Sequence, residues 1–403
     1  MNRLADVFSP HLTRRAALRW GLGTAAAAGV GLTTAGCDSA DDHVGDSRGG
    51  GRPSSGDAAP PRPWRRTIGA WVLSSPAVVD GVVFIGGDGH GENVYAFDAA
   101  TGAKKWAFTA RERVVSSPAV VDGVVYIGSD DGKVYALDAI TGAKRWSFSA
   151  GAWVKSSPAV VGGVVYVGCY NGVVYALDAA TGAKKWAFIT GGWLSSSATV
   201  ADGVVYIGGF TKKVYALDAA TGARKWAHAT GGEILSSRPA VADGLVYVGS
   251  GDGKVYALDA ATGAKRWAFT MGGTVTASPT VADGVVYIGS GKIYALDAAT
   301  GARKWSFTTR GEILFSSAAV VSGVVYIGSN DKNVYALNAA TGAKKWAFTT
   351  GAEVQSSPAL AGGMLYVGSN DGSVYALNAA TGAGPRIPAS SSPPEAAATG
   401  TAT

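Results

Sequence analysis

Residues 124–146 decide the fold. Val124-Val125-Tyr126-Ile127-Gly128 is followed by the polar turn Ser129-Asp130-Asp131-Gly132. Lys133-Val134-Tyr135-Ala136-Leu137-Asp138 comes next, and Ala139-Ile140-Thr141-Gly142-Ala143 leads into Lys144-Arg145-Trp146. Short β-branched and aromatic runs broken by Asp-Gly and Thr-Gly read as successive antiparallel hairpins. Upstream, Ser116-Ser117-Pro118-Ala119-Val120-Val121 and the turn Asp122-Gly123 supply one more strand. Four strands in about 40 residues make one propeller blade. No segment keeps a 3.6 period over ten residues, which excludes helical repeats.

The same unit recurs along the chain. Its closing tryptophans are Trp64, Trp106, Trp146, Trp186, Trp226, Trp267, Trp305 and Trp346, about 40 residues apart, as a blade requires. The Ser-Ser-Pro type strands run from Ser74 to Ser356, and the Tyr-Ala-Leu type strands from Tyr95 to Tyr375, eight of each. The last unit stops at Thr381-Gly382-Ala383 without its tryptophan, while Trp64 stands ahead of any complete unit. One orphan strand at each end completes one blade. The expectation is an all-β, eight-bladed propeller of four-stranded antiparallel blades, closed when the N-terminal strand at Trp64-Arg65-Arg66-Thr67 joins the blade begun at Ser356. Closure removes the free ends that an open solenoid must cap.

The repeated Ala-Leu-Asp-Ala-x-Thr-Gly-x-x-x-Trp resembles the tryptophan-docking signature of quinoprotein-like β-propellers, named for the PQQ-dependent alcohol dehydrogenases. The same repeat builds the outer-membrane assembly lipoprotein and the outer halves of some bacterial receptor kinases. The resemblance covers residues 64–383. It implies that each docking tryptophan packs between blades and that the Asp and Thr-Gly hold the preceding turn. Asn338 and Asn378 replace that Asp in the last two units, a change a short turn tolerates.

Composition agrees with a repetitive β protein: 403 residues, 58 Gly, 12 Trp and 16 Tyr, with 47% hydrophobic and only 16% charged residues. The chain ends read differently. Arg14 and Arg15 in Thr13-Arg14-Arg15-Ala16-Ala17-Leu18 resemble a twin-arginine export signal, and Thr34-Ala35-Gly36-Cys37 resembles a lipobox with Cys37 as the lipidated residue. Residues 1–37 are read as that signal, 38–63 as a flexible linker and 384–403 as a disordered tail. The expected place is the outer face of the cytoplasmic membrane or the cell envelope, with membrane contact through the lipid alone. Beyond residue 37 there are 31 basic and 28 acidic residues, which is no nucleic-acid footprint. Cys169 is the one cysteine left after Cys37, so the folded body has no internal disulfide.

Near-identical repeats act as their own control. What every blade shares belongs to the fold, including the Lys/Arg pair before each docking Trp, read as protection of an exposed edge strand; a belt for anionic polymers is the competing reading. What differs between blades points to function. Seven residues after each docking Trp stand Trp71, Arg113, Trp153, Trp193, Glu233, Thr274, Glu312 and Glu353. In propellers this loop shares the channel mouth with the turn between the second and third strands, where Tyr170 and Phe210 extend the aromatic half. Bulky aromatics and Arg typify binding hot spots. The expected rim is therefore Trp71, Arg113, Trp153, Trp193, Tyr170 and Phe210 on one side, with Glu233, Glu312 and Glu353 on the other.

Two functional classes follow. The first is a monomeric, non-catalytic binding or scaffold module for a protein, peptide or envelope glycan, with no cofactor and no metal expected. The second is an enzyme using the propeller mouth, either a carbohydrate-active enzyme or a PQQ- and calcium-dependent dehydrogenase. The resemblance implies PQQ stacked on a mouth tryptophan and calcium held by carboxylates such as Glu233, Glu312 or Glu353. Against it, the adjacent cysteine pair and long inter-blade insertions are missing, and no nucleophile stands beside a recognisable base. His90, between Asp88 and Glu92, is a weak metal motif that reads better as a solvated hairpin.

Overall fold

The computed structural model describes residues 62–89 and 91–387. The export signal at Arg14 and Arg15, Cys37, nearly all of the linker, the tail from residue 388 and His90 lie outside them.

The described residues form eight four-stranded sheets. In blade 1, β2 (Ala77–Val79), β3 (Val82–Gly86), β4 (Val94–Asp98) and β5 (Lys104–Phe108) pair in that order, all antiparallel. Blades 2 to 7 repeat the order. Blade 8 combines β30 (Ala359–Ala361), β31 (Met364–Ser369) and β32 (Ser373–Asn378) with β1 (Trp64–Thr67). The register there runs Trp64↔Ala376 to Thr67↔Ser373, so the N-terminal strand closes the ring, as the repeat count requires.

The turns show why the repeats carry Asp-Gly. Asp122 and Gly123 have φ of 49° and 70°, and Asp202 and Gly203 have 48° and 71°. Two successive positive φ values are the signature of a type I′ hairpin, which Asp-Gly adopts readily. In the outer turn, Asp138 Oδ1 accepts from the backbone N–H and the hydroxyl of Thr141 at 2.9 and 3.0 Å. Asn338 Oδ1 accepts the same two bonds from Thr341, which is why the amide is tolerated.

Each docking tryptophan ties its blade to the next. Trp146 donates its indole N–H to Ala179 O at 2.9 Å, and its ring faces Tyr126 at 5.9 Å between centroids. Gly182 lies directly against that ring: a Cβ there would stand 2.6 Å from it. Trp64 repeats the contact across the closure, donating to Ala99 O at 2.9 Å. The apolar core consequently lies between blades. Trp146, Tyr126 and Val134 of blade 2, for example, pack with Val165, Val167 and Leu177 of blade 3. The basic pairs lie outside this core. Arg145 and Arg266 reach the Asp of their own outer turn at 2.7 Å, and Lys185 does so at 3.5 Å, so the second residue of these pairs braces an exposed edge strand.

A second ring runs around the axis. The backbone N–H of Ser75 donates to Ser117 Oγ, Ser117 to Ser157 and Ser157 to Ser197, each at 2.8–2.9 Å. Ser278 donates to Ser317, Ser317 to Ser357, and Ser357 back to Ser75. Blade 5 alone breaks the pattern, because Arg238 stands where the others have serine.

Candidate functional site at the propeller mouth

Blade geometry places the loop before each innermost strand beside the turn between the second and third strands. The turn donates its N–H to the loop carbonyl in blade after blade: Asp88 to Trp71, Asp130 to Arg113, Tyr170 to Trp153 and Phe210 to Trp193, at 2.9–3.0 Å. Gly251 to Glu233, Asn330 to Glu312 and Asn370 to Glu353 follow at 2.8–3.0 Å. All nine rim residues expected from the sequence therefore share one face.

Within that face an aromatic arc is continuous. Trp153 meets Tyr170 at 5.7 Å, Tyr170 stacks on Trp193 at 5.8 Å with an 18° interplanar angle, and Trp193 meets Phe210 edge-on at 5.4 Å. Trp71 and Trp153 are 38% and 43% exposed, unusually open for side chains of their size. Burial pushes the Tyr170 phenol up, and the nearby Asp130 carboxylate adds to the rise.

Arg113 behaves differently from the expectation of an open hot spot. Its guanidinium bridges two buried carboxylates, Asp88 at 3.3 Å and Asp130 at 2.9 Å. Lys155 is buried as well. Its ammonium stands 4.0 Å from Asp130 Oδ2 and lies over the rings of Trp153 and Tyr170, at 4.6 and 5.2 Å from their centroids. Burial pushes the Asp130 carboxyl up and the Lys155 ammonium down, with each partly restored by its opposite charge. Asp130 Oδ1 is buried without a hydrogen-bond partner among the described residues. A chain of alternating charge, Asp88–Arg113–Asp130–Lys155, thus runs into the aromatic arc across blades 1 to 4.

Lys155 and Asp130 were not among the residues singled out from sequence, and Asp88 was read only as part of the weak metal motif around His90. The signal for Lys155 lay two residues after the column compared: the matching position holds Leu73, Val115, Ser195, Thr276 and Gln355 in other blades. Asp88 and Asp130 look like ordinary turn residues, and only the fold shows that both face Arg113.

The acidic half is more dispersed. Glu233 lies 3.8 Å from Lys212 in an exposed pair, and Glu312 is exposed while Glu353 is half-buried. Glu92, a possible partner for a metal at the first turn, instead binds Lys104 at 2.8 Å, and Asp88 turns to Arg113.

The family described as outer membrane protein assembly factor BamB matches residues 61–116, 90–234, 211–321 and 289–384, overlapping segments that span the propeller. The chain belongs to this BamB family. Among solved structures, BamB from Moraxella catarrhalis is 22% identical with a TM-score of 0.67, over 78% of this chain and 98% of that one. A computationally designed protein, Ika8, is 19% identical with a TM-score of 0.68, over 77% and 96%. The quinohemoprotein alcohol dehydrogenase ADHIIG from Pseudomonas putida HK5 is 19% identical with a TM-score of 0.70, over 81% and 77%. At such identities these likenesses establish the fold. No curated protein matches the chain significantly.

The dehydrogenase likeness raises PQQ with calcium. Calcium takes six to eight converging oxygens. Here Asp88 and Asp130 already face Arg113, Glu233 faces Lys212, and no cluster of three metal-ligating side chains exists among the described residues. Cys169 is buried and donates its thiol to Ala152 O at 3.2 Å, so it is not placed to cap a cofactor. The carboxylates at this mouth therefore offer calcium no converging set among the described residues.

Proposed function

We propose that this BamB-family propeller is a non-catalytic docking module of the cell envelope, exported through Arg14-Arg15 and lipid-anchored at Cys37, whose mouth receives a protein or peptide partner. One observation carries the reading: Trp71 and Trp153 stand open on the same face as a braced aromatic arc. Exposed tryptophan on a rigid support is a typical binding anchor, because little side-chain freedom is lost on contact. The charge chain beneath is engaged internally and so serves as the support. The family description supports this reading in kind, since it names BamB as an outer membrane protein assembly factor.

The test replaces Trp71 by Thr and Trp153 by Glu, residues that blades 6 and 5 carry at the same position. Photocrosslinking from the rim of the full chain in envelope preparations should yield defined adducts with the wild type and lose them in the double variant, with unchanged thermal stability. Equal adducts from both proteins would sink the proposal.

A further inference from the structure

The axial serine ring is built on a simple balance, in which each blade's N–H donor meets the next blade's hydroxyl acceptor. Blade 5 upsets it. Arg238 brings no hydroxyl, so among the described residues the Ser197 N–H has no acceptor, the one link of the ring left open. The same substitution adds a guanidinium, whose Nε donates to Thr199 Oγ1 at 2.9 Å. Thr199 in turn donates to Pro239 O. Among the described residues the two terminal nitrogens of Arg238 have no partner, and no carboxylate lies within ion-pair distance of them.

The local account is therefore one of excess donors and an uncompensated positive charge on the axis. A partly buried cation without a counter-ion is costly, and burial alone, with no acidic neighbour acting on it, pushes the Arg238 guanidinium down to about 10. An arginine fork matches the paired oxygens of a carboxylate or phosphate. A neighbouring backbone N–H is the further donor that oxyanion sites commonly use. The rest of the ring is uncharged serine, so nothing in it competes for the anion.

We propose that Arg238, with the Ser197 N–H, forms an oxyanion site on the propeller axis, taking the carboxylate or phosphate group of a small ligand. This site is separate from the aromatic rim and does not depend on the docking function.

The test is titration calorimetry of the full chain with inorganic phosphate, and separately with acetate, in chloride buffer at constant ionic strength. At least one of the two should bind, and which one binds assigns the ligand as phosphate-bearing or carboxylate-bearing. Arg238→Ser restores the hydroxyl that the other blades carry. It should fold at least as stably while weakening the oxyanion about 10- to 100-fold, as expected on losing a hydrogen-bonded charge. If that variant fails to fold, Arg238→Gln supplies the comparison at similar length. Absence of binding by both anions, or equal binding by wild type and the folded variant, overturns the proposal.

Discussion

Replacing Arg113 by Met removes the cation between two carboxylates that are each only 3% exposed. Breaking a buried ion pair from one side costs about 3–5 kcal/mol, because the other charge stays buried. Lys155, 4.0 Å from Asp130, retains part of the compensation and favours the lower end. Unfolding entropy is about 2.1 cal/mol/K per residue, hence about 0.7 kcal/mol/K for a ring of roughly 320 residues. The expected fall in Tm is about 4–7 °C, read by differential scanning calorimetry at pH 7.5. The pH dependence gives a second check. Burial already raises the Asp130 pKa above its unfolded value, so the native state holds its proton more tightly and gains stability as pH falls. Losing Arg113 raises that affinity further, and the deficit against wild type should narrow between pH 7.5 and pH 5. Adding Asp88→Asn and Asp130→Asn to the variant should recover most of the loss. A fall below 1 °C, or a deficit that widens in acid, would refute the assignment of Arg113 as an internal brace.

Two glycines in neighbouring turns should respond in opposite ways to a side chain. Gly182→Ala puts a Cβ at φ of 73° and 2.6 Å from the Trp146 ring, and should cost about 3 kcal/mol in urea unfolding. Gly162→Asp occupies open space at φ of 57°, where Asp122 and Asp202 already serve their blades, and should stay within about 0.5 kcal/mol of wild type. His228 meets Tyr256 at 6.2 Å where other blades use Phe, such as Phe188 against Tyr215 at 5.8 Å. Burial lowers its pKa, so the unfolded state takes up the proton first and stability is lost as pH falls through about 6.5 and below. His228→Phe should therefore raise the urea midpoint, and by more at pH 5 than at pH 8.

The fold was legible because its determinants are local and repeated. Asp122-Gly123 announces a hairpin, Thr141-Gly142 with Asp138 announces the outer turn, and the misplaced Trp64 predicts a ring closure that β1 and β32 then make. The mouth was legible only in part. Comparing blades at one loop position singled out Trp71, Trp153 and Trp193, since other blades fill that loop with Thr or Glu and the repeat does not need bulk there. It also found Arg113 but not its role, because ion pairing between blades depends on which turn faces which loop. Lys155 and Arg238 lay a few residues further along the same strand lead-in. There a charged residue reads as solvated until the axis is seen to bury it.

Closure by the first strand has a consequence in time. β1 is made first and its partner β32 last, some 310 residues later. At roughly 5–20 residues per second of synthesis, Trp64 waits roughly 15–60 s for the strand it must join. During that interval blade 1 already presents the Gly102 socket, with its carbonyl at Ala99, and the first strand of another nascent copy fits it as well as the chain's own. Crowded synthesis therefore gives strand exchange between copies its opening, and the order of manufacture sets how long that opening lasts.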